Sequence, residues 1–215
     1  MATATTTAPA ERQWYIVGRW QEYEGESRAN LLRIAAIGVF YGVQLVHYYV
    51  FSARTAAETQ FHQQATAIAV AWTMAALGIM LSLRRQIFPA ALKYCTSACD
   101  LVLLTSLAAL AAGPHSPLVL AYFVIVALAG LRFSLGLVWF TTLGAMLSYW
   151  LLVGIADWRT SRWFDSRHAV APVEQLLTLA SLGITGIVIG QVVRRVKALA
   201  GEYAQRLAAA TGKAA

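Results

Sequence analysis

Charged side chains are scarce in this chain. Asp, Glu, Lys and Arg make up 13% of its 215 residues, about half of the ~25% found in an ordinary globular domain. That is too little polar surface to coat a water-soluble particle, so a soluble fold is excluded. Cysteine is nearly missing too. Cys95 and Cys99 are the only two, which makes no disulfide framework and says nothing about secretion. The first thirty residues lack the apolar core of a signal peptide, and "TAPA" at residues 7–10 is not a credible cleavage site. The first apolar segment is therefore expected to serve as the insertion signal. A phosphate-cradling Gly-Lys loop, an HExxH pair, a nucleophile elbow, internal repeats and a second hydrophilic domain are all absent from the sequence, and no enzymatic activity is expected.

What is abundant is apolar sequence. Hydrophobic residues reach 59% and the mean hydropathy is +0.58. Apolar stretches recur that are long enough to cross a ~30 Å hydrocarbon core at ~1.5 Å per residue. The fold class expected is all-α: a polytopic membrane protein with six transmembrane helices and both termini cytosolic. The helices are expected over residues 30–51, 65–83, 94–112, 117–135, 137–156 and 174–193. They make a membrane domain of residues 30–193, preceded by a cytosolic amino-terminal interfacial segment (1–29) and followed by a cytosolic helical extension (194–215).

The fourth helix decides the topology, because Pro117 and Arg132 bracket a short apolar run. With six crossings, 13 of the 17 Lys and Arg fall inside; Arg54, Arg159, Arg162 and Arg167 fall outside. If the fourth segment did not cross, the division would be 10 to 7. The positive-inside rule selects six crossings. "GPHSP" at residues 113–117 then forms a tight external turn: Gly113 ends helix three, and Pro117 suits the first turn of helix four. A bacterial inner (cytoplasmic) membrane is the expected location. The net charge of +7 comes from cations scattered beside apolar segments, where they anchor helix ends, so no nucleic-acid partner is expected.

Asp100 is the sharpest single residue, since a carboxylate well inside a span must be paired, neutral or facing water. It lies 13 residues before Gly113, and Arg132 lies 15 after Pro117, so their depths differ by only ~3 Å at ~1.5 Å per residue. Asp100 and Arg132 are therefore expected to pair, either as a switchable site or as a structural pair that fixes helix register. Cys95 and Cys99 share a helix face, but zinc wants about four ligands; no metal is expected there. Of the four His, only His47 lies inside a span, which argues against a haem held by two axial histidines. No cofactor is expected.

The last external loop, expected over residues 157–173, mixes Trp158 and Trp163 with Arg159, Arg162, Arg167 and His168. It fits an anionic ligand, a partner, or the ordinary interfacial belt of Trp and Arg. Gly186 and Gly190 have the small-xxx-small spacing of close helix packing, within the bundle or between copies. After them, Val192, Val196, Leu199 and Tyr203 stand at 4-3-4 spacing, the pattern of a short coiled coil or signalling linker. The segment "ERQWYIVGRWQEYEGESR" before helix one suits either the headgroup layer or a docking partner.

At helices three and four, "CDLVLLTSLAALAAGPHSPLVLAYFVIVALAGLRFSLGLVW" resembles the membrane sensor or anchor modules that precede the output domains of bacterial adenylyl cyclases and sensor kinases. The likeness rests on an Asp opening an apolar helix, a Gly-x-x-Ser-Pro turn, and a helix closing on "LRFSL". Residues 194–215 follow helix six in place of an output domain. The resemblance implies a stand-alone anchor that passes its signal to a separate protein. The expected function is thus a non-enzymatic sensor-like or scaffolding subunit, in contact with the lipid bilayer and with a protein partner or further copies of itself. The alternatives are a small transporter or channel using Asp100, or an accessory subunit of a respiratory or photosynthetic complex.

Overall fold

In a computed structural model the backbone is described for residues 7–85, 89, 91–162 and 171–212, and the side chains for 23–85, 89, 91–156 and 171–206. The described residues are helical almost throughout. In chain order the α-helices are α1 (Thr7–Val46), α2 (Ala56–Arg84), α3 (Leu92–Leu110), α4 (Ala121–Gly130), α5 (Leu135–Arg162) and α6 (Pro172–Gly212). Five helices are long and apolar enough to cross a membrane, and Pro117–Gly130 is a shorter apolar one. These helices fit a membrane protein.

Several ends differ from expectation, each for a local reason. α1 starts at Thr7 and runs without a break through residue 30, because no proline follows Pro9 in its first turn. α1 crosses the expected boundary at 29/30 as one helix, with Gly25, Glu26 and Ala29 buried inside the bundle. α1 closes on a π-helical turn, His47–Phe51. α2 starts at Ala56, where a polar loop over residues 52–64 was expected. A capping box sets that start: Thr55 Oγ1 accepts from Glu58 N at 3.3 Å, and Thr55 N donates to Glu58 Oε2 at 2.9 Å.

Between α3 and α4, Gly113 takes φ +61°, a left-handed conformation natural to glycine. Two 3-10 turns follow, Gly113–His115 and Pro117–Leu120. The fourth segment ends at Gly130 rather than 135, and Phe133 in the turn after it has φ 48°. α5 reaches Arg162, six residues into the expected external loop. α6 is one helix to Gly212, so the expected extension is continuous with the span.

The core has two unequal parts. Helices α3 to α6 enclose the buried apolar clusters, centred on Leu104, Tyr122, Val126, Tyr149, Leu152 and Leu182. Tyr122 is satisfied there by Thr105 Oγ1 at 2.8 Å, as a buried hydroxyl must be in hydrocarbon. Close approach of α6 to α5 depends on Gly186, where an added Cβ would run into the side chain of buried Thr142. Helices α1 and α2 pack along each other. Among the described residues none of α1 belongs to a buried apolar cluster, and α2 lends Trp72 at the margin. The α1–α2 arm thus meets the four-helix core with little share in its apolar clusters.

Candidate functional site

Where arm and core meet lies a buried cluster of four charges. On α1, Glu26, Asn30 and Arg33 stand at i, i+4 and i+7, the spacing that lines one helix face. All three are buried, while Leu31 and Leu32 beside them are exposed. On α3, Lys93, Ser97 and Asp100 repeat the same spacing. Trp72 and Ala76 of α2 and Arg132 from the α4–α5 turn complete the cluster. The charged members are sealed from solvent: Glu26 is 1% exposed, Arg33 3%, Asp100 5% and Arg132 6%. Two cations and two carboxylates bring the net charge to zero, which is what a low-dielectric interior demands.

Arg33 holds Asp100 through a fork. Its Nε donates to Oδ1 at 2.8 Å and to Oδ2 at 2.9 Å, and its Nη2 to Oδ2 at 2.8 Å. Trp72 Nε1 donates to Oδ1 at 2.8 Å. The carboxylate thus accepts four contacts, about as many as it has lone-pair sites. Asn30 supports the guanidinium, accepting from Arg33 Nη1 at 2.6 Å and donating to the Ala76 carbonyl at 3.0 Å. Three helices are tied at one point.

Arg132 makes the second tie. Its Nη2 donates to Glu26 Oε1 at 2.8 Å, and its Nη1 to Ser97 Oγ at 2.7 Å and the Lys93 carbonyl at 3.1 Å. Its Nε is buried and finds no hydrogen-bond partner among the described residues. Here α1 comes so close to the turn that a Cβ on Gly25 would lie 3.1 Å from the Leu131 carbonyl oxygen and 3.3 Å from Arg132 Cα.

The expected direct pair of Asp100 with Arg132 is therefore corrected. Both belong to the cluster, but each is bound to a residue of α1. Arg132 lies beyond the end of α4 and reaches Lys93 and Ser97; Asp100 sits three residues further along α3, about 4.5 Å deeper. Glu26 escaped sequence reasoning because it fell within the expected aqueous segment, and Arg33, inside helix one, was counted only among the inside cations. The signal was present in the i, i+4, i+7 run of polar residues entering an apolar helix.

Gly186 and Gly190 both face α5: a Cβ on Gly190 would touch Leu135 Cδ1 at 3.4 Å. Their spacing serves packing within the bundle. Trp158, Arg159 and Arg162 lie in the last turns of α5 rather than in a loop, and their side chains lie outside the described residues. Trp163, Arg167 and His168 lie wholly outside them. Cys95 is an exposed free thiol and Cys99 a half-buried one. At the other end of the arm, Tyr48 stacks on His62 with centroids 4.0 Å apart. The stripe of Val192, Val196, Leu199 and Tyr203 on α6 is exposed. Comparison with protein families, with curated proteins and with solved structures finds no match to this chain.

Proposed function

We propose that the chain crosses a bacterial cytoplasmic membrane six times with both tails in the cytosol, and acts as a non-enzymatic, sensor-like or scaffolding subunit through a protein partner or a second copy. The division of cations, 13 inside to 4 outside, supports that orientation. The fourth crossing is short, about 23 Å for Pro117–Gly130 at ~2.0 Å per 3-10 residue and ~1.5 Å per α residue. Its burial supports a crossing nonetheless: Tyr122 and Val126, both 0% exposed, sit among α3, α5 and α6.

The observation that carries the partner reading is α6. Its 41 residues extend about 60 Å, roughly twice the hydrocarbon thickness. The overhang is continuous with the span and carries Val196, Leu199 and Tyr203 at 41, 47 and 65% exposure, in line with Val192 at the end of the span. An apolar stripe held out into water on a rigid helix is a surface for another helix. The charge cluster fits this role as a lock that keeps the arm and the core in one arrangement. It fits a transport site poorly, since the Asp100 carboxylate is already filled by Arg33 and Trp72.

The test is site-directed photo-crosslinking from position 199 in native membranes, followed by mass spectrometry of the adducts. A discrete adduct, with a partner protein or a second copy, is the expected result. Recovery of uncrosslinked monomer alone, with efficient photolysis at a lipid-facing control position, would overturn the reading.

A further inference from the structure

Above the charge cluster, α1 and α4 leave a groove of about 480 Å³ between them. Its walls are Leu32, Ala35 and Val39 of α1, Val124 and Ala127 of α4, and Leu131 just past the end of α4. The cause is visible in the packing. Gly25 brings α1 against the α4–α5 turn at the foot, and Ala35 and Ala127 above leave space between the helices. The groove runs along the candidate span Tyr23–Phe51 and the shorter apolar helix Pro117–Gly130; with both in the bilayer, its open side faces hydrocarbon rather than water. Its volume falls within the ~300–1,000 Å³ of small-molecule sites.

A charge marks the mouth. Arg28 precedes Leu32 by one turn on the same α1 stripe, residues 28, 32, 35 and 39, about 6 Å toward the end that holds the cluster. Its side chain is 72% exposed, and Glu24 engages one of its N–H groups; a guanidinium has about five. An apolar slot with an exposed guanidinium one turn beyond it, paired with Glu24 on one side and open on the others, has the chemistry of a phospholipid, with acyl chain in the slot and phosphate on the Arg.

We infer that the α1–α4 groove is a binding site for one anionic phospholipid, its acyl chain between Ala35 and Ala127 and its phosphate on Arg28. The site rests on α1 and α4 both lying in the bilayer, and is independent of any partner on α6. The bound lipid closes the seam between arm and core along the length that the charge cluster leaves open.

Native mass spectrometry of the full chain, titrated with phosphatidylglycerol or phosphatidylcholine of identical chains, tests this directly. One phosphatidylglycerol per chain is expected, favoured over phosphatidylcholine by about fivefold, the factor that one Arg contributes near a headgroup. Arg28→Gln should erase that preference and leave chain binding intact. Filling the groove with A35F and A127F, both at lipid-exposed positions, should abolish the adduct for either lipid while thermal stability and helix content stay unchanged. If the filled groove still holds the lipid, if the wild type binds both headgroups equally, or if the filled variant instead loses a dimer mass present in the wild type, the site is not a phospholipid site. Should the filled variant unfold, A35V with A127V provides the milder filling, and undiminished lipid retention by that variant overturns the inference.

Discussion

Cutting the Arg33–Asp100 fork from either side should be at least as harmful as removing the whole pair. In Asp100→Leu, the Arg33 guanidinium stays 3% exposed and retains only Asn30 Oδ1 as acceptor. An uncompensated buried charge of this kind costs about 3–5 kcal/mol. Arg33→Leu leaves the carboxylate with Trp72 alone, at a similar cost. For a chain of this size each kcal/mol lowers the midpoint by about 2–4 °C, so either single variant should melt roughly 6–20 °C early. The double variant removes both charges together. It leaves the Trp72 N–H and part of Asn30 unsatisfied, about 1–3 kcal/mol each at most. It should therefore be no less stable than the worse single variant, with a coupling energy of about 3 kcal/mol or more. Thermal unfolding in mild detergent, followed by tryptophan fluorescence, measures all four corners of the cycle, and Trp72 reports on the site itself. If both single variants stay within about 1 kcal/mol of wild type, or the double equals the sum of the singles, then Arg33 and Asp100 do not share a buried contact and the lock does not exist.

Further outcomes follow from the same geometry. Gly25→Val should lose about 1–3 kcal/mol and loosen the Glu26–Arg132 tie, because the new side chain meets backbone atoms of Leu131 and Arg132 that cannot swing away; faster hydrogen exchange at residues 131–134 is the readout, and exchange equal to wild type would contradict the close approach. Gly186→Val should lower the melting temperature through collision with Thr142, and Thr142→Ala in the same chain should recover part of the loss; absence of any recovery would place Gly186 against something else. Thr55→Ala removes the capping box that opens α2 and should cost about 0.5–2 kcal/mol, seen as fraying of residues 56–59 by hydrogen exchange, with unchanged protection as the contrary result.

Most of the helical order was legible in the sequence, because long apolar runs punctuated by Gly113, Pro114 and Pro117 leave few alternatives. The helix ends were not. Hydropathy marks where lipid ends, whereas a helix continues until something stops it, and α1 after Pro9 and α6 after Pro172 each run through polar sequence without a further proline. The start of α2 could have been read from "TAAE" at residues 55–58, a capping box that a hydropathy window passes over. Asp100 and Arg132 were both found by the cost of charge in hydrocarbon, but their partners were not. Depth along a hairpin compares two helices only. The fork depends on how α1 rotates and on Gly25 letting it approach, and those are facts of three-dimensional packing. Gly186 was visible as a small residue at a packing interval; which neighbour it admits was not.

The account stands or falls on the threading of the chain through the bilayer. Single cysteines placed at residues 5, 173 and 210, in a background lacking Cys95 and Cys99 and probed with an impermeant maleimide on sealed right-side-out vesicles, measure it directly. Six crossings predict labelling at 173 and protection at both 5 and 210 until the membrane is opened. Labelling of 5 and 210 from opposite sides would contradict it.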